Sequence, residues 1–334
     1  MTVTMSDIAR DLNVSVVTVS KVLRNQGKIS EATRKRVLRR AKQLHYQMNW
    51  VARSLVTRRT YTIGLLLPEL THPFFAEIAR ALAQTVQAHG YHVIISYFEE
   101  DPDLEASELN SLLARQVDGL IVASAQVPGC REMFRRVQAR TVPYVLIDRP
   151  IPGVSACFVG VDNRAIGRMA TEHLISQKCR RIAHLRGPEM GIAAERLDGY
   201  RRALAMRGLA PLKEYIVSGG HNDDTGYAGM QRLLRLKQLP DGVFCYNDPV
   251  AIGAMKAILE KGLSIPKDIA IVGAGNIHFS DALAVPLTTI DQGTCKIGRL
   301  AAELLLARIA SKRRQKPIRV LIPLRLVIRE SSKR

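Results

Sequence analysis

Phe74, Phe75, Asp148, Arg149, Arg196, Asn247 and Asp248 all come after apolar, strand-like runs, and together they offer ring faces, fixed charges and an amide. Such a set suits recognition of a small polar molecule. Aromatic faces cover its apolar surface, while carboxylate, guanidinium and amide groups take up its hydrogen bonds. It does not read as a catalytic set. There is no P-loop and no convincing pairing of nucleophile and base, and His184 and Cys179 read as core or surface residues. The "GAG" at 273–275 lacks the third glycine and first-strand context of a dinucleotide site. Five scattered cysteines (Cys130, Cys157, Cys179, Cys245, Cys295) show neither metal-ligand spacing nor a disulfide framework, so no cofactor and no metal is expected.

A second chemistry is suggested near the start. "VSVVTVSKVLRN", residues 14–25, looks strand-like on propensity, yet helix signals surround it. Thr4 and Asp7 fit a capping pattern ahead of Ile8, Ala9 and Leu12; Ser15 can cap a helix from Val16, with its stop near Asn25–Gly27. Ser30 can cap a third helix carrying Val37, Ala41 and Leu44 as its inward stripe. At about 100° per residue, Val19, Val22 and Leu23 share one face of the middle helix, while Val16, Val17, Ser20 and Lys21 fall outside it. Exposed valines beside a lysine are suited to the major groove of DNA, where their methyl groups can meet thymine methyls.

Charge supports a polyanionic partner. Of the net +19, residues 1–60 carry four Lys and nine Arg against Asp7, Asp11 and Glu31. The chain of 334 residues is long enough for two or three domains. No apolar run reaches the ~20 residues of a membrane helix. The opening "MTVTMSDIARDLN" lacks the apolar stretch of an export signal, so a cytoplasmic location without membrane contact is expected. From Tyr61 onward, apolar runs ("YTIGLLL", "HVIISYF", "DGLIVAS", "PYVLID", "FVGVDN", "RIAHLRG", "GVFCYND", "IAIVGAG") alternate with amphipathic segments, the pattern of parallel strands and crossover helices in two similar halves. Ligands in such sheets lie beyond the carboxyl ends of the strands, which makes the cleft between halves the natural site.

"SDIARDLNVSVVTVSKVL…ISEATRKRVLRRAKQLHY" resembles the DNA-binding headpiece of the lactose/galactose repressor (LacI/GalR) family of transcription regulators, and the likeness continues through "HPFFAEIARAL", "QVDGLIVAS", "IDRP", "AAERLDGYRRAL", "NDPVAIGAMKAILEKGLSIPKDIAIVG" and "VPLTTIDQ". It implies an α/β chain: an all-α helix-turn-helix headpiece (1–47) and hinge helix (48–60), then a periplasmic-binding-protein-like core (61–334) of two doubly wound parallel-sheet subdomains. The first subdomain takes in about 61–160 and 292–322, the second about 161–291 and 323–330. The resemblance assigns base reading to Val16, Val17 and Lys21, and positioning on phosphate to Thr18, Ser20, Asn25, Ser30 and Thr33. Asn49 can cap the hinge, where the resemblance assigns Leu55 as a minor-groove wedge with Ala52 close by, and Arg53, Arg58 and Arg59 would add phosphate contacts. It places Phe74, Phe75, Asp148, Arg196, His221, Asn247, Gly275 and Asn276 about the effector. Asp248 stands open between an effector contact and a helix cap.

Departures from the family pattern are informative. Lys21 replaces a usual arginine and lacks the rigid fork that grips guanine. Met48 replaces a proline before the hinge, Val56 a position often basic, and Thr294 a frequent aromatic. Gly275 stands where sugar-binding members carry an acid, which argues against an ordinary pyranose. The tail has no leucine heptads. The expectation is therefore a homodimer, contacting through the helix near 72–89, the neighbouring strand surface and helices around 249–262 and 277–284, that binds a palindromic double-stranded operator under control of a small-molecule effector, a sugar or sugar derivative being one candidate. Inducer and corepressor are equally allowed. A solute-binding receptor without DNA-binding function is the competing reading.

Overall fold

The computed structural model describes residues 3–23, 27–46, 54, 57, 59–125, 129–189, 191–311 and 315–334. Two compact units result, Met1–Thr60 and Tyr61–Arg334.

In the first unit, α1 (Met5–Leu12), α2 (Val16–Leu23) and α3 (Glu31–Gln43) close around Ile8, Ala9, Val19, Val22, Val37 and Ala41. The Thr4 side chain accepts from the Asp7 amide while the Asp7 carboxylate accepts from the Thr4 amide, a reciprocal cap that starts α1. Ser15 Oγ accepts from Thr18 N at 3.0 Å and starts α2; Ser30 Oγ accepts from Thr33 N at 3.3 Å and starts α3. Arg40 donates to Asp11 at 2.8 and 2.5 Å, tying α3 to α1. Packing has overridden the strand propensity of the valines.

The second unit begins with β1 (Thr62–Leu67), α4 (Pro73–Gln87), β2 (His92–Tyr97), α5 (Pro102–Ala114), β3 (Gly119–Val122), α6 (Cys130–Ala139), β4 (Tyr144–Ile147) and β5 (Cys157–Gly160). It continues with α7 (Asn163–Ser176), β6 (Ile182–Arg186), α8 (Gly191–Ala205), β7 (Ile216–Ser218), α9 (Asp223–Leu233), β8 (Gly242–Cys245), α10 (Asp248–Glu260), β9 (Ala270–Gly275) and β10 (Thr288–Asp291). Last come α11 (Thr294–Ala310), β11 (Arg319–Leu321) and β12 (Arg325–Val327). The strands form two six-stranded sheets, β11-β5-β4-β3-β1-β2 and β12-β10-β9-β8-β6-β7, parallel throughout except that β12 runs antiparallel to β10. These are two lobes, and the chain passes between them after β5, after β10 and after β11.

Central strands are buried along their whole length, as in "GLIV" of β3 and "AIVGAG" of β9. That explains why they read as continuous apolar runs rather than alternating ones. β7 and β10 carried weaker signals, being short and, in β10, rich in threonine. One expectation is corrected. Residues 277–284 form turns rather than a helix, with Ser280 N donating to Ile277 O at 2.9 Å and Ala282 N to Phe279 O at 3.1 Å. The buried Asp248 carboxylate, which accepts from Ile277 N and Ser280 Oγ, draws this segment into a turn.

Candidate functional site

Between the lobes, at the carboxyl ends of the strands, lies a cleft lined by Glu69, His72, Phe74, Phe75, Glu100, Asp148, Arg149, Pro188, Ile192, Arg196, His221, Tyr246, Asn247, Ala274 and Gln292. In this arrangement about 40 Å³ remains open.

The first lobe supplies the carboxylates. Arg149 donates to both oxygens of Glu100, at 2.7 and 2.6 Å, and its Nε lies 3.3 Å from Asp148 Oδ2 without hydrogen-bond geometry. Burial works against the Arg149 charge, but the hydrogen bonds and charge of Glu100, with Asp148, outweigh it and raise the pKa above its usual value. Burial raises the pKa of Asp148 despite the neighbouring guanidiniums. Asp148 also holds a left-handed backbone, φ 59°, a conformation uncommon outside glycine and often retained at functional sites. Phe74 and Phe75 pack edge-on, with ring centroids 5.2 Å apart, and form the apolar floor.

The second lobe supplies mainly donors. Arg196 is buried beneath the cleft, its guanidinium 4.6 Å from the Tyr246 ring centroid. It donates to Asn163 Oδ1 at 2.9 Å, Tyr246 O at 2.5 Å and Gln292 Oε1 at 3.4 Å. Three of its five N–H groups are thus held by protein, leaving one on each terminal nitrogen. Its helix is placed by glycine. A methyl added at Gly167 of α7 would lie 2.0 Å from the Arg196 carbonyl oxygen, and one at Gly199 of α8 2.1 Å from the Arg164 carbonyl oxygen. Only two glycines allow these helix backbones to meet.

Asn247 caps α10: its Oδ1 accepts from Val250 N at 2.9 Å, and its Nδ2 donates to His221 O at 2.8 Å. The same Nδ2 faces His72 Nε2 of the first lobe at 3.1 Å. His221 reaches across as well, Nε2 lying 3.7 Å from Glu69 Oε2. Burial, aided by His221 and the two arginines, lowers the pKa of His72 to about 4, so its ring is neutral at ordinary pH.

Several candidates fall elsewhere. Asp248 is neither cap nor cleft residue. Its carboxylate accepts from Thr289 Oγ1 at 2.5 Å, Ile277 N at 3.0 Å and Ser280 Oγ at 3.1 Å, anchoring the loop after β9. Gly275 and Asn276 are not among the lining residues. A methyl at Gly275 would meet Asp248 Oδ2 at 3.2 Å, and Asn276 Oδ1 accepts from Arg329 at 2.8 Å. Sequence reasoning missed His72, Glu69, Glu100, Tyr246 and Gln292 as cleft residues. Tyr246 and Gln292 follow β8 and β10 directly, so the strand-end rule could have found them.

On the first unit, Val16 and Val17 are 42% and 62% exposed and Lys21 is exposed, whereas Val19 and Val22 are buried. Ser20, Thr18 and Thr33 are half-buried and Ser30 exposed beside them in sequence. Asn25, Asn49, Ala52, Arg53 and Leu55 lie outside the described residues, as do Met48 and Val56.

Residues 4–49 match the model of bacterial regulatory proteins of the lacI family, and residues 171–332 match a periplasmic binding protein-like domain. A ribose operon repressor of Halalkalibacterium halodurans is 35% identical over 331 residues, covering 99% of this chain and 97% of that protein. The chain belongs to the lacI family. It is a DNA-binding transcriptional regulator with an effector-binding core, and the match at 4–49 decides against a solute receptor without DNA-binding function. The transcriptional repressor CytR of Escherichia coli K12 is 34% identical over 91% of this chain and 89% of its own length. Among solved structures, the lac repressor dimer bound to operator and an anti-inducer superposes with TM-score 0.87 at 26% identity, covering 99% of both chains. A CelR–cellobiose complex superposes with TM-score 0.74 at 31% identity over 98% of this chain and 99% of that one. Among the described residues no helix is long and apolar enough to cross a membrane, and no group of His, Cys, Asp and Glu could hold a metal ion.

Proposed function

We propose that this family member is a cytoplasmic repressor, not an enzyme, that binds a palindromic operator as a homodimer and responds to a small neutral sugar or sugar derivative. Residues 1–47 act as the reading head, 48–60 as the hinge and 61–334 as the effector and dimerisation core. Val16, Val17 and Lys21 read base edges, while Thr18, Ser20, Asn25, Ser30 and Thr33 hold register on phosphate. Asn49, Ala52, Arg53 and Leu55 serve the hinge, Leu55 as the wedge that kinks the minor groove.

The observation that carries the reading is the pair of exposed valines on a capped helix whose other face is filled. Burying them needs a partner, and a strongly basic module points to DNA. The effector reading rests on the cleft. Its charge does not favour an anion, since the carboxylates of Glu69, Glu100 and Asp148 outnumber the guanidiniums of Arg149 and Arg196. Phe74, Phe75, Asp148, Arg196, His221 and Asn247 are the contacts proposed. The relatives' names make D-ribose the first probe. An effector shifts operator affinity only as far as it distinguishes open from closed lobes.

Unbiased selection from random duplexes with the purified full chain tests the main reading. A palindromic motif is expected, with affinity that changes when the cognate metabolite is added. Failure to enrich any motif, with and without metabolite extracts, overturns it.

A further inference from the structure

The contact between His72 and Asn247 spans the two lobes and conceals a conflict of donors. Asn247 cannot turn its amide round, because Oδ1 accepts from Val250 N at 2.9 Å and Nδ2 donates to His221 O at 2.8 Å. The nitrogen facing His72 is therefore a donor. On the other side of the ring, His72 Nδ1 lies 3.3 Å from Phe74 N, where it caps α4. A backbone amide only donates, so this ring nitrogen must be bare. A neutral imidazole has one bare and one protonated nitrogen. The proton is then on Nε2, pointing at the Asn247 amide 3.1 Å away. Two donors from opposite lobes face each other.

We propose that His72 and Asn247 are a two-donor clamp for a neutral oxygen of the effector, which makes His72 a specificity-determining residue. This rests on the reading above that the cleft binds a small polar molecule. An oxygen seated between Nε2 and Nδ2 accepts from both and replaces a repulsive contact by two hydrogen bonds, so it holds the lobes at a defined separation. A hydroxyl, ether or carbonyl oxygen meets the requirement. An ammonium group does not, because it would add a third donor. A carboxylate gains no net attraction, because the carboxylates of Glu69, Glu100 and Asp148 outnumber the guanidiniums of Arg149 and Arg196 in the same cleft. The clamp selects an uncharged oxygen.

Selective ¹⁵N labelling of histidine in the full chain reads the tautomer, with the His72 signals identified by their absence in His72→Phe. Near neutral pH a proton on Nε2 is expected. A proton on Nδ1 overturns the proposal, whatever the protein binds. Calorimetric titration with D-ribose gives the second readout. His72→Phe is expected to weaken binding about tenfold, the effect of one lost hydrogen bond, and His72→Gln, whose terminal amide can donate from a similar place, to retain most of it. Equal affinity for wild type and His72→Phe also overturns the clamp. If D-ribose binds neither protein, the choice of sugar falls and the tautomer alone decides the clamp.

Discussion

Arg149 grips Glu100 through two nearly equal hydrogen bonds, 2.7 and 2.6 Å, and so joins the loop after β2 to the end of β4 at the floor of the cleft. Replacing Glu100 by Gln leaves a buried guanidinium facing a neutral amide. The core is expected to lose about 3 kcal/mol, the low end of the range for breaking a buried ion pair, since Glu100 is partly exposed. Urea unfolding followed by tryptophan-independent far-UV dichroism would measure it; an unchanged midpoint would show that the pair adds nothing to stability.

Gly167→Ala should act at a distance. The added methyl meets the Arg196 carbonyl oxygen, so α8 must shift and carry the guanidinium away from Gln292 and Tyr246. Effector response should fall at least tenfold while apo operator binding persists, unless the effector is a corepressor. Effector titrations of operator complexes by fluorescence anisotropy provide the measurement.

The two sets of valines should respond oppositely. Val17→Ser, at an exposed site, should leave stability within about 0.5 kcal/mol and relax base choice at one position per half-site. Val19→Ala, inside the small headpiece core, should cost about 2 kcal/mol and weaken specific binding through unfolding. Thermal melts of residues 1–60 alongside competition binding separate these effects.

Leu55→Ala should weaken operator binding by more than it weakens binding to random duplex DNA, because only the specific complex uses a wedge. Equal losses would remove that role. Changes at Arg58 or Arg59 should instead lower the slope of log affinity against log salt by about one charge each.

Acid should loosen the core through His184. Its ring is fully buried, stacked 4.5 Å from Phe244, with Nδ1 on Phe244 O at 2.9 Å and Nε2 unpartnered. Burial depresses its pKa from 6.5 to about 4. Between those values the unfolded chain binds the proton more readily, so the stabilisation is complete above pH 6.5 and drains away as pH falls toward 4. The loss amounts to about 3 kcal/mol. His184→Leu should flatten the dependence of urea midpoint on pH over this window.

Much of the architecture was readable because fully buried strands announce themselves as apolar runs, and because capping residues such as Thr4, Ser15 and Ser30 act locally. The cleft was legible only where a residue sat at a strand end. Asn247 was found, but the cap that stood open for Asp248, one residue on, belongs to Asn247; both types can cap, and sequence does not say which side chain turns inward. Gly275 and Asn276 were placed in the site by analogy. In the fold, the Asp248 carboxylate occupies the space behind Gly275, and Asn276 turns to Arg329. The match of His72 to Asn247 is separated by most of the core in sequence, and no local pattern could have disclosed it.

β11 completes the first sheet beside β5, and β12 completes the second beside β10, with only Ile322–Leu324 between them. Each lobe is therefore assembled from segments far apart in the gene, and no single cut would release either one whole. Exchange of a sensor half between related regulators would need coordinated breakpoints, so new ligand preferences in this chain are more accessible through substitutions along the cleft than through shuffling of intact halves.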